Sequence, residues 1–339
     1  MAKAVLLALV VLTLVPAAAT GHAGETPGTD YRSTVRAAPA GLAVRMVGGD
    51  DRLLVTRTTA AEVVVLGYGG EPYLRLDADG TWENRASPAV ALNAERQPDA
   101  PLDGAVATPE WVRVGDGASA VFHDHRAHWM GSEPPAAVQA DPDRPRDLFD
   151  WSVPLLVDGR EAAITGDVAW LGRPRSALWW AAAALAAAVG LVAGLLVRER
   201  TVLATAAGAA TAIACAGLVE ASARLDLPAG GTEALIGVAI AVALTAAAVA
   251  GAWLTRRVPA YTATVLLLAS VIVGAAPLMD AAGPAFAHAL VPGPIPTVAV
   301  RLVIVVGIAG TALAAGATAR ALRDLLSTRP TAPARSSAW

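Results

Sequence analysis

Residues 176–197 read SALWWAAAALAAAVGLVAGLLV, a run without a single charged side chain. A helix of about 20 predominantly apolar residues is long enough to span the hydrocarbon core of a bilayer. Four later runs share this character, so the sequence predicts an α-helical membrane bundle of five helices within 173–319. The predicted helices cover about 176–197, 201–219, 234–254, 261–279 and 297–319.

Arginines predict the orientation of this bundle. Arg198 and Arg200 follow the first run, Arg256 and Arg257 follow the third, and residues 320–339 contain four more. Because cytoplasmic loops are enriched in Lys and Arg, these ends are expected to face the cytoplasm. The sequence therefore predicts a multi-pass protein of the cytoplasmic membrane, embedded in the lipid bilayer, with an extracytoplasmic N-terminal domain and a cytoplasmic tail at 320–339.

The N-terminus has the pattern of a secretory signal peptide. Lys3 precedes the apolar residues 4–15, and Pro16 and several small residues follow. This pattern predicts a signal peptide at 1–23, cleaved after Ala19 or Ala23, while an uncleaved anchor stays open as the alternative. Cys215 is the only cysteine and lies in an apolar run, so the region 24–172 is expected to fold without disulfides.

Residues 24–172 contain short runs rich in Val, Leu and Tyr, separated by turn residues. Asp158-Gly159 between two such runs is a strong hairpin signal. The spacing predicts an extracytoplasmic all-β, sandwich-like domain of immunoglobulin or cupredoxin type, with long loops at 94–108 and 131–149. The predicted strands cover 42–47, 52–57, 62–66, 73–76, 111–114, 119–123, 152–157 and 161–170.

Residues 121–130 read VFHDHRAHWM and hold three of the five histidines. On a strand, alternate side chains share one face, so His123 and His125 are expected to point the same way, and a turn can return His128 to them. Imidazole suits copper and zinc, and a thioether adds preference for Cu(I). The stretch therefore predicts a copper or zinc site, with the candidate ligands His123, Asp124, His125, His128 and Met130.

A structural interpretation of the same residues competes with the metal site. Asp124, Arg126 and one histidine can form a buried salt-bridged network that locks the loop, with Trp129 as a core anchor. No second cluster of ligands elsewhere in the sequence completes a metal site. The sequence alone therefore favours the network, and the metal site stays open as the alternative.

Two further sets of polar residues are candidate sites. Glu71, Tyr73 and Arg75 alternate, which predicts either a polar recognition face or, preferably, a cross-strand Glu–Arg pair. Charged groups near a membrane are costly and usually have a partner or a function. Here the alternatives are an interfacial ion pair between Arg301 and Asp280 or a polar funnel that receives a ligand. The predicted outer-side polar cluster consists of Glu220, Asp280, His288 and Arg301.

Three sequence blocks carry a resemblance to a family. They are GYGGEPYLR at 67–75, SPAVALN at 87–93 and DHRAHWM at 124–130, followed by PLLVDG at 154–159. With the hydrophobic tail, they resemble an uncharacterised family of actinobacterial exported β-domain membrane proteins, which implies no activity. The architecture is also similar, more loosely, to copper-resistance β-domains joined to membrane helices, and that likeness implies copper binding.

Several classes of function are not supported by the sequence. The net charge of −3 and the lack of a basic stripe argue against a nucleic-acid partner. No Walker, HExxH, CxxC or GxSxG motif is present, so we do not expect an enzyme. The sequence favours a membrane-anchored extracytoplasmic protein, for which binding or delivery of a metal ion such as copper is the first functional hypothesis. The alternative is a non-catalytic envelope protein that binds another exported protein or a wall component through a patch with Trp82 or Trp111.

Overall fold

The computed structural model describes residues 28–94, 108–197, 201–225, 232, 234–243, 246 and 278–327. These residues form an N-terminal antiparallel β domain followed by helices. The predicted signal peptide 1–23, most of the predicted loop 94–108, the second half of the predicted helix 234–254 and nearly all of the predicted helix 261–279 lie outside the described residues, as do residues 328–339.

The β domain has two antiparallel sheets. The larger has seven strands in the order β1-β10-β9-β4-β5-β6-β7, and the smaller has three in the order β2-β3-β8. The ten strands are β1 (Tyr31–Ala37), β2 (Leu42–Val47), β3 (Arg52–Arg57), β4 (Val63–Leu66), β5 (Pro72–Asp77), β6 (Gly80–Asn84), β7 (Trp111–Gly115), β8 (Ser119–His123), β9 (Arg146–Val157) and β10 (Arg160–Trp170).

One apolar core is shared by the two sheets. Leu53 and Phe122 from the smaller sheet and Leu155 and Ile164 from the larger belong to the same buried cluster. Burying each such side chain stabilises the fold by roughly 1.5–3 kcal/mol. The two-layer arrangement agrees with the predicted sandwich-like class, because both sheets turn an apolar face inward.

The predicted strands lie close to the observed ones, but three features differ from expectation. Strands β1 and β6 and a helix α1 (Pro88–Ala94) were not expected. The predicted loop 131–149 contains a helix α2 (Ala136–Ala140) and the start of β9, where the charged residues Arg146 and Asp147 interrupt the apolar pattern of the strand. The turn at 115–117 does not close a hairpin. It joins strands of different sheets, since β7 pairs with β6 and β8 pairs with β3.

The C-terminal half is helical. Three of its helices contain stretches long and apolar enough to cross a membrane, namely Ser176–Leu196, Ala204–Leu225 and Thr297–Asp324. The described helices are α3 (Ser176–Leu196), α4 (Thr201–Leu225), α5 (Ala234–Ala243), α6 (278–287) and α7 (Thr297–Ser327).

Helix ends differ from the predicted bounds. Helix α4 continues to Leu225 and includes the start of the predicted loop 220–233. Helix α6 occupies the first part of the predicted loop 280–296, and α7 extends to Ser327, into the predicted tail. The hydropathy pattern ends α4 and α7 too early because the polar end of a helix still gains its backbone hydrogen bonds.

The β domain contacts the helical half at residues 288–290, a short segment before α7. Thr29 and Leu290 exchange backbone hydrogen bonds of 3.0 and 2.9 Å, and the Asp30 carboxylate accepts from the Ala289 N–H at 2.7 Å. On the opposite side of this segment, Arg301 donates to the His288 carbonyl at 2.6 Å. The segment is therefore held both by the β domain and by α7.

Helices α3 and α7 approach closely at small residues. A Cβ added to Gly190 would meet the Ala309 carbonyl oxygen, and one added to Gly194 would meet the Leu313 carbonyl oxygen. Glycine at these positions lets the two backbones come together, as is common where helices associate in a membrane.

We expect the substitution Gly194→Leu to destabilise the helical half, because the new side chain pushes α3 away from α7. The expected cost is about 1–3 kcal/mol, as for other overpacked sites. Thermal unfolding of the full chain in detergent measures it. Gly237→Leu is the control, because a Cβ at Gly237 meets nothing within 4 Å among the described residues; equal melting temperatures for the two variants would contradict the packing argument.

Candidate metal centre

Three histidines meet where strand β8 ends. His123 is the last residue of β8, and His125 begins a 3₁₀ turn, His125–Ala127, which reverses the chain so that His128 returns to the other two. The ring centroids are 4.8 Å apart for His123 and His125, 4.2 Å for His123 and His128, and 5.3 Å for His125 and His128. All three side chains are buried.

One nitrogen of each ring lies next to a backbone carbonyl. His123 Nδ1 is 2.6 Å from the Asp51 oxygen, His125 Nε2 is 2.8 Å from the Leu92 oxygen, and His128 Nδ1 is 3.1 Å from the Trp129 oxygen. A carbonyl oxygen can only accept a hydrogen bond, so each of these nitrogens carries the proton. In the neutral rings the lone pairs therefore sit on His123 Nε2, His125 Nδ1 and His128 Nε2.

The lone-pair nitrogens have the surroundings of metal ligands. His123 Nε2 is buried and has no hydrogen-bond partner among the described residues, although buried polar atoms are rarely left unsatisfied. His125 Nδ1 lies 2.6 Å from the Met130 sulfur. The thioether sulfur, which has no proton to donate, therefore lies beside this nitrogen as a further group with a lone pair.

The distances are close to those of a metal site. One ligand atom from each histidine can be chosen so that all three lie within 4.8 Å of one another. Three imidazole nitrogens at about 2.1 Å from a tetrahedral ion are roughly 3.4 Å apart. Side-chain rotations that shorten the longest separation by about 1.4 Å would complete this geometry.

Asp124 is held away from the histidines by an ion pair. Its two carboxylate oxygens accept from Arg126 Nε at 2.8 Å and Arg126 Nη2 at 2.7 Å, and its side chain is fully buried. Burial lowers the pKa of Arg126, but the hydrogen bonds and charge of Asp124 raise it further, so the net pKa is above the ordinary value. The expected salt-bridged pair and the cluster of histidines are thus both present.

Tyr68 and Asn93 support the turn and were not anticipated from the sequence. The Tyr68 hydroxyl accepts from the His125 N–H at 2.9 Å and donates to Asn93 Oδ1 at 2.5 Å. Burial, and then the charge of Asp124, raise the pKa of Tyr68 above its ordinary value, so the hydroxyl stays protonated. The only sequence signal was that Tyr68 and Asn93 lie in the blocks 67–75 and 87–93.

Glu71, Tyr73 and Arg75 do not form one exposed face. Glu71 is buried and accepts from the Ser87 hydroxyl at 2.7 Å. Tyr73 lies in the core, where burial raises its pKa to about 12. Arg75 pairs with Asp77 at 3.0 Å and lies over the rings of Trp82 and Trp111, at 5.0 and 4.8 Å, so the expected Glu71–Arg75 pair is replaced by separate partners.

The four residues of the predicted outer-side cluster also have separate partners. Glu220 pairs with Arg224 on the same helix at 2.6 Å, and Asp280 is exposed. His288 Nδ1 lies 3.5 Å from the Asp30 carboxylate. Arg301 bonds the carbonyls of Ala285 and His288 instead of Asp280, because these oxygens at the end of α6 lack helical partners.

The fold and the site define a class: a sandwich-like β domain with a buried histidine triad, joined to helices that include three candidate membrane spans. Comparisons with protein-family models, with curated proteins and with solved structures gave no match for this chain. The argument for function therefore depends on the geometry of the site.

We expect Asp124→Asn to destabilise the β domain by about 2–4 kcal/mol, because it leaves the Arg126 charge without its buried partner. Denaturant unfolding of the full chain in detergent, followed by tryptophan fluorescence, measures the loss. Asp150→Asn is the matched control, since the Asp150–Arg36 pair is largely exposed and should contribute less than about 1 kcal/mol. Equal losses in the two variants would show that the buried pair has no special role.

Proposed function

We propose that this protein is a membrane-anchored extracytoplasmic protein that binds a metal ion, with copper as the preferred ion. The observation that carries the proposal is the protonation pattern of the triad. Each of the three rings donates one N–H to a backbone carbonyl, which leaves a lone-pair nitrogen on each of three buried rings whose centroids lie 4.2 to 5.3 Å apart.

Metal-binding histidines in proteins share this arrangement. Their second ring nitrogen almost always donates to a carbonyl or carboxylate, which fixes both the tautomer and the orientation of the ring. Every buried neutral imidazole needs an acceptor for its N–H, so the feature that favours a metal site is that three such rings converge, with centroids 4.2 to 5.3 Å apart. The carbonyls come from separate segments, at Asp51, Leu92 and Trp129, so the arrangement is not a property of one local turn.

Copper is proposed because of Met130. Three imidazoles alone suit zinc and copper equally well, whereas a thioether is a soft ligand that favours Cu(I). The contact of the Met130 sulfur with the lone-pair nitrogen of His125 supports the thioether as a fourth donor. The extracytoplasmic location rests on the arginines that follow the predicted first, third and fifth helices.

Titration calorimetry of the full chain in detergent tests the site. We expect one equivalent of Cu(II) to bind, and Cu(I) to bind under anaerobic reducing conditions. The triple variant His123→Ala, His125→Ala and His128→Ala should lose this binding. Circular dichroism shows whether its β domain remains folded. If the triple variant does not fold, the single variant His123→Ala replaces it. No binding, or unchanged binding in a folded variant, would overturn the proposal.

The role of the thioether has its own test. Met130→Leu preserves the volume but removes the sulfur, so we expect Cu(I) affinity to fall at least tenfold and Zn(II) affinity to change far less. Met46→Leu is the matched control, because Met46 packs in β2 against the core. Equal losses for Cu(I) and Zn(II) would show that Met130 acts by packing and not as a ligand.

A second candidate function is docking of another envelope protein. Strand β7 is at the edge of the larger sheet in the part of the chain that the structure describes, and it exposes Val112 and Val114. An edge strand with exposed apolar side chains can accept an extended segment of another chain. The neighbouring Trp82 and Trp111 are half-buried beside Arg75 and would border such a segment.

Photo-crosslinking in membranes tests the docking function. A crosslinking amino acid at position 112 is expected to capture one defined protein, and Val114→Lys should abolish the product because a charged edge strand resists pairing. Asp116→Lys is the control, because it adds the same charge immediately after the last residue of β7. Failure to capture a partner, or a product that survives Val114→Lys, would contradict docking at β7.

A further inference from the structure

A large cavity borders the histidine triad. Its volume is about 1100 Å³, and its wall includes residues of both sheets and of the contact between the β domain and the helices. The described wall includes His123 but neither His125 nor His128. His123 is therefore the member of the triad through which the site and the cavity meet.

The cavity wall carries an excess of negative charge. Four carboxylates and two guanidinium groups line it: Asp30, Asp50, Asp51, Glu83, Arg52 and Arg85. Arg52 pairs with Asp51 at 3.2 Å and Arg85 pairs with Glu83 at 3.0 Å, so the formal charge of the lining groups is negative by the count of carboxylates over guanidinium groups. A concave surface of one sign concentrates ions of the opposite sign, so this cavity attracts cations.

The cavity also extends to the contact with the helical half. Asp30 and His288, which approach each other to 3.5 Å, both line it. His288 lies two residues before Leu290, which pairs with Thr29 close to the start of α7. The same negative cavity is thus bordered by the triad through His123 and by the helical half through His288.

We propose that this cavity is the route by which the metal cation enters and leaves the triad, with an opening bordered by Asp30 and His288. The inference rests on the proposed metal-binding function. His123 is the histidine that an ion in the cavity would meet first, and its Nε2 is buried and has no hydrogen-bond partner among the described residues. The ion then completes its coordination with His125 and His128.

Stopped-flow measurements with Cu(II) test the route in the full chain, followed by quenching of tryptophan fluorescence. Val121 lines the cavity and lies two residues before His123 on β8, so it shares the face of His123. Val121→Trp should obstruct the passage and lower the association and dissociation rates together, by at least about tenfold. The dissociation constant should stay the same, because a barrier on the route slows the entry and the exit of the ion by the same factor. Val121→Ala is the matched control and should not slow either rate.

The charge of the cavity provides a second variant that does not depend on bulk. Glu83→Gln should lower the association rate severalfold at low ionic strength, and the difference should shrink as salt screens the field. Asp116→Asn is its control, because the Asp116 carboxylate is exposed and does not line the cavity. Equal association rates for Glu83→Gln and Asp116→Asn would count against attraction by the cavity.

The outcomes separate the route from the function. Wild-type rates in a folded Val121→Trp variant would show that the ion arrives another way, while the proposed metal site would stand. A changed dissociation constant with an unchanged association rate would likewise overturn the route, because Val121 would then act on the site itself. If the unaltered protein binds no Cu(II), both the proposed function and the route fail.

Discussion

The carbonyl groups of Asp51, Leu92 and Trp129 determine what the histidine triad can do. A buried imidazole N–H without an acceptor would cost about 1–3 kcal/mol, so each carbonyl that accepts one makes burial of that ring possible. The same three bonds also decide which nitrogen keeps its lone pair. Stability and ligand chemistry therefore have one cause here: the bonds that make burial of the rings possible also select the nitrogen of each neutral ring that can bind a metal ion.

The turn that gathers the rings depends on polar groups that are not part of the triad. Asp124 begins the 3₁₀ turn by accepting from the Arg126 N–H, and Arg126 also donates to the Leu66 carbonyl at 2.9 Å. Tyr68 attaches the turn to Asn93. The structural network and the cluster of histidines, which are alternatives at the level of sequence, therefore occupy different sides of one turn, and the network positions the rings.

Local patterns predicted much of the fold, but the site depends on contacts that no local pattern reveals. Alternation and turn residues predicted β2, β3 and β8, because half-buried strands repeat every two residues. Tyr68 belongs to a glycine-rich block and Asn93 to an unexpected helix, and nothing in either block indicates that it meets residue 125. The carbonyls of Asp51 and Leu92 could not be predicted at all, since every residue has a carbonyl and only the tertiary fold selects these.

The attachment of the β domain to the helices follows from where its chain ends lie. Strand β1 begins at Tyr31 and pairs with the end of β10, and the rings of Tyr31 and Trp170 meet at 5.1 Å. Residue 170 is followed within six residues by α3, and Thr29 pairs with the segment before α7. Both ends of the domain are thus anchored at one place. Because Arg301 of α7 holds the carbonyl of His288, a shift of α7 would act directly on a residue that lines the cavity, and through it on the access to His123.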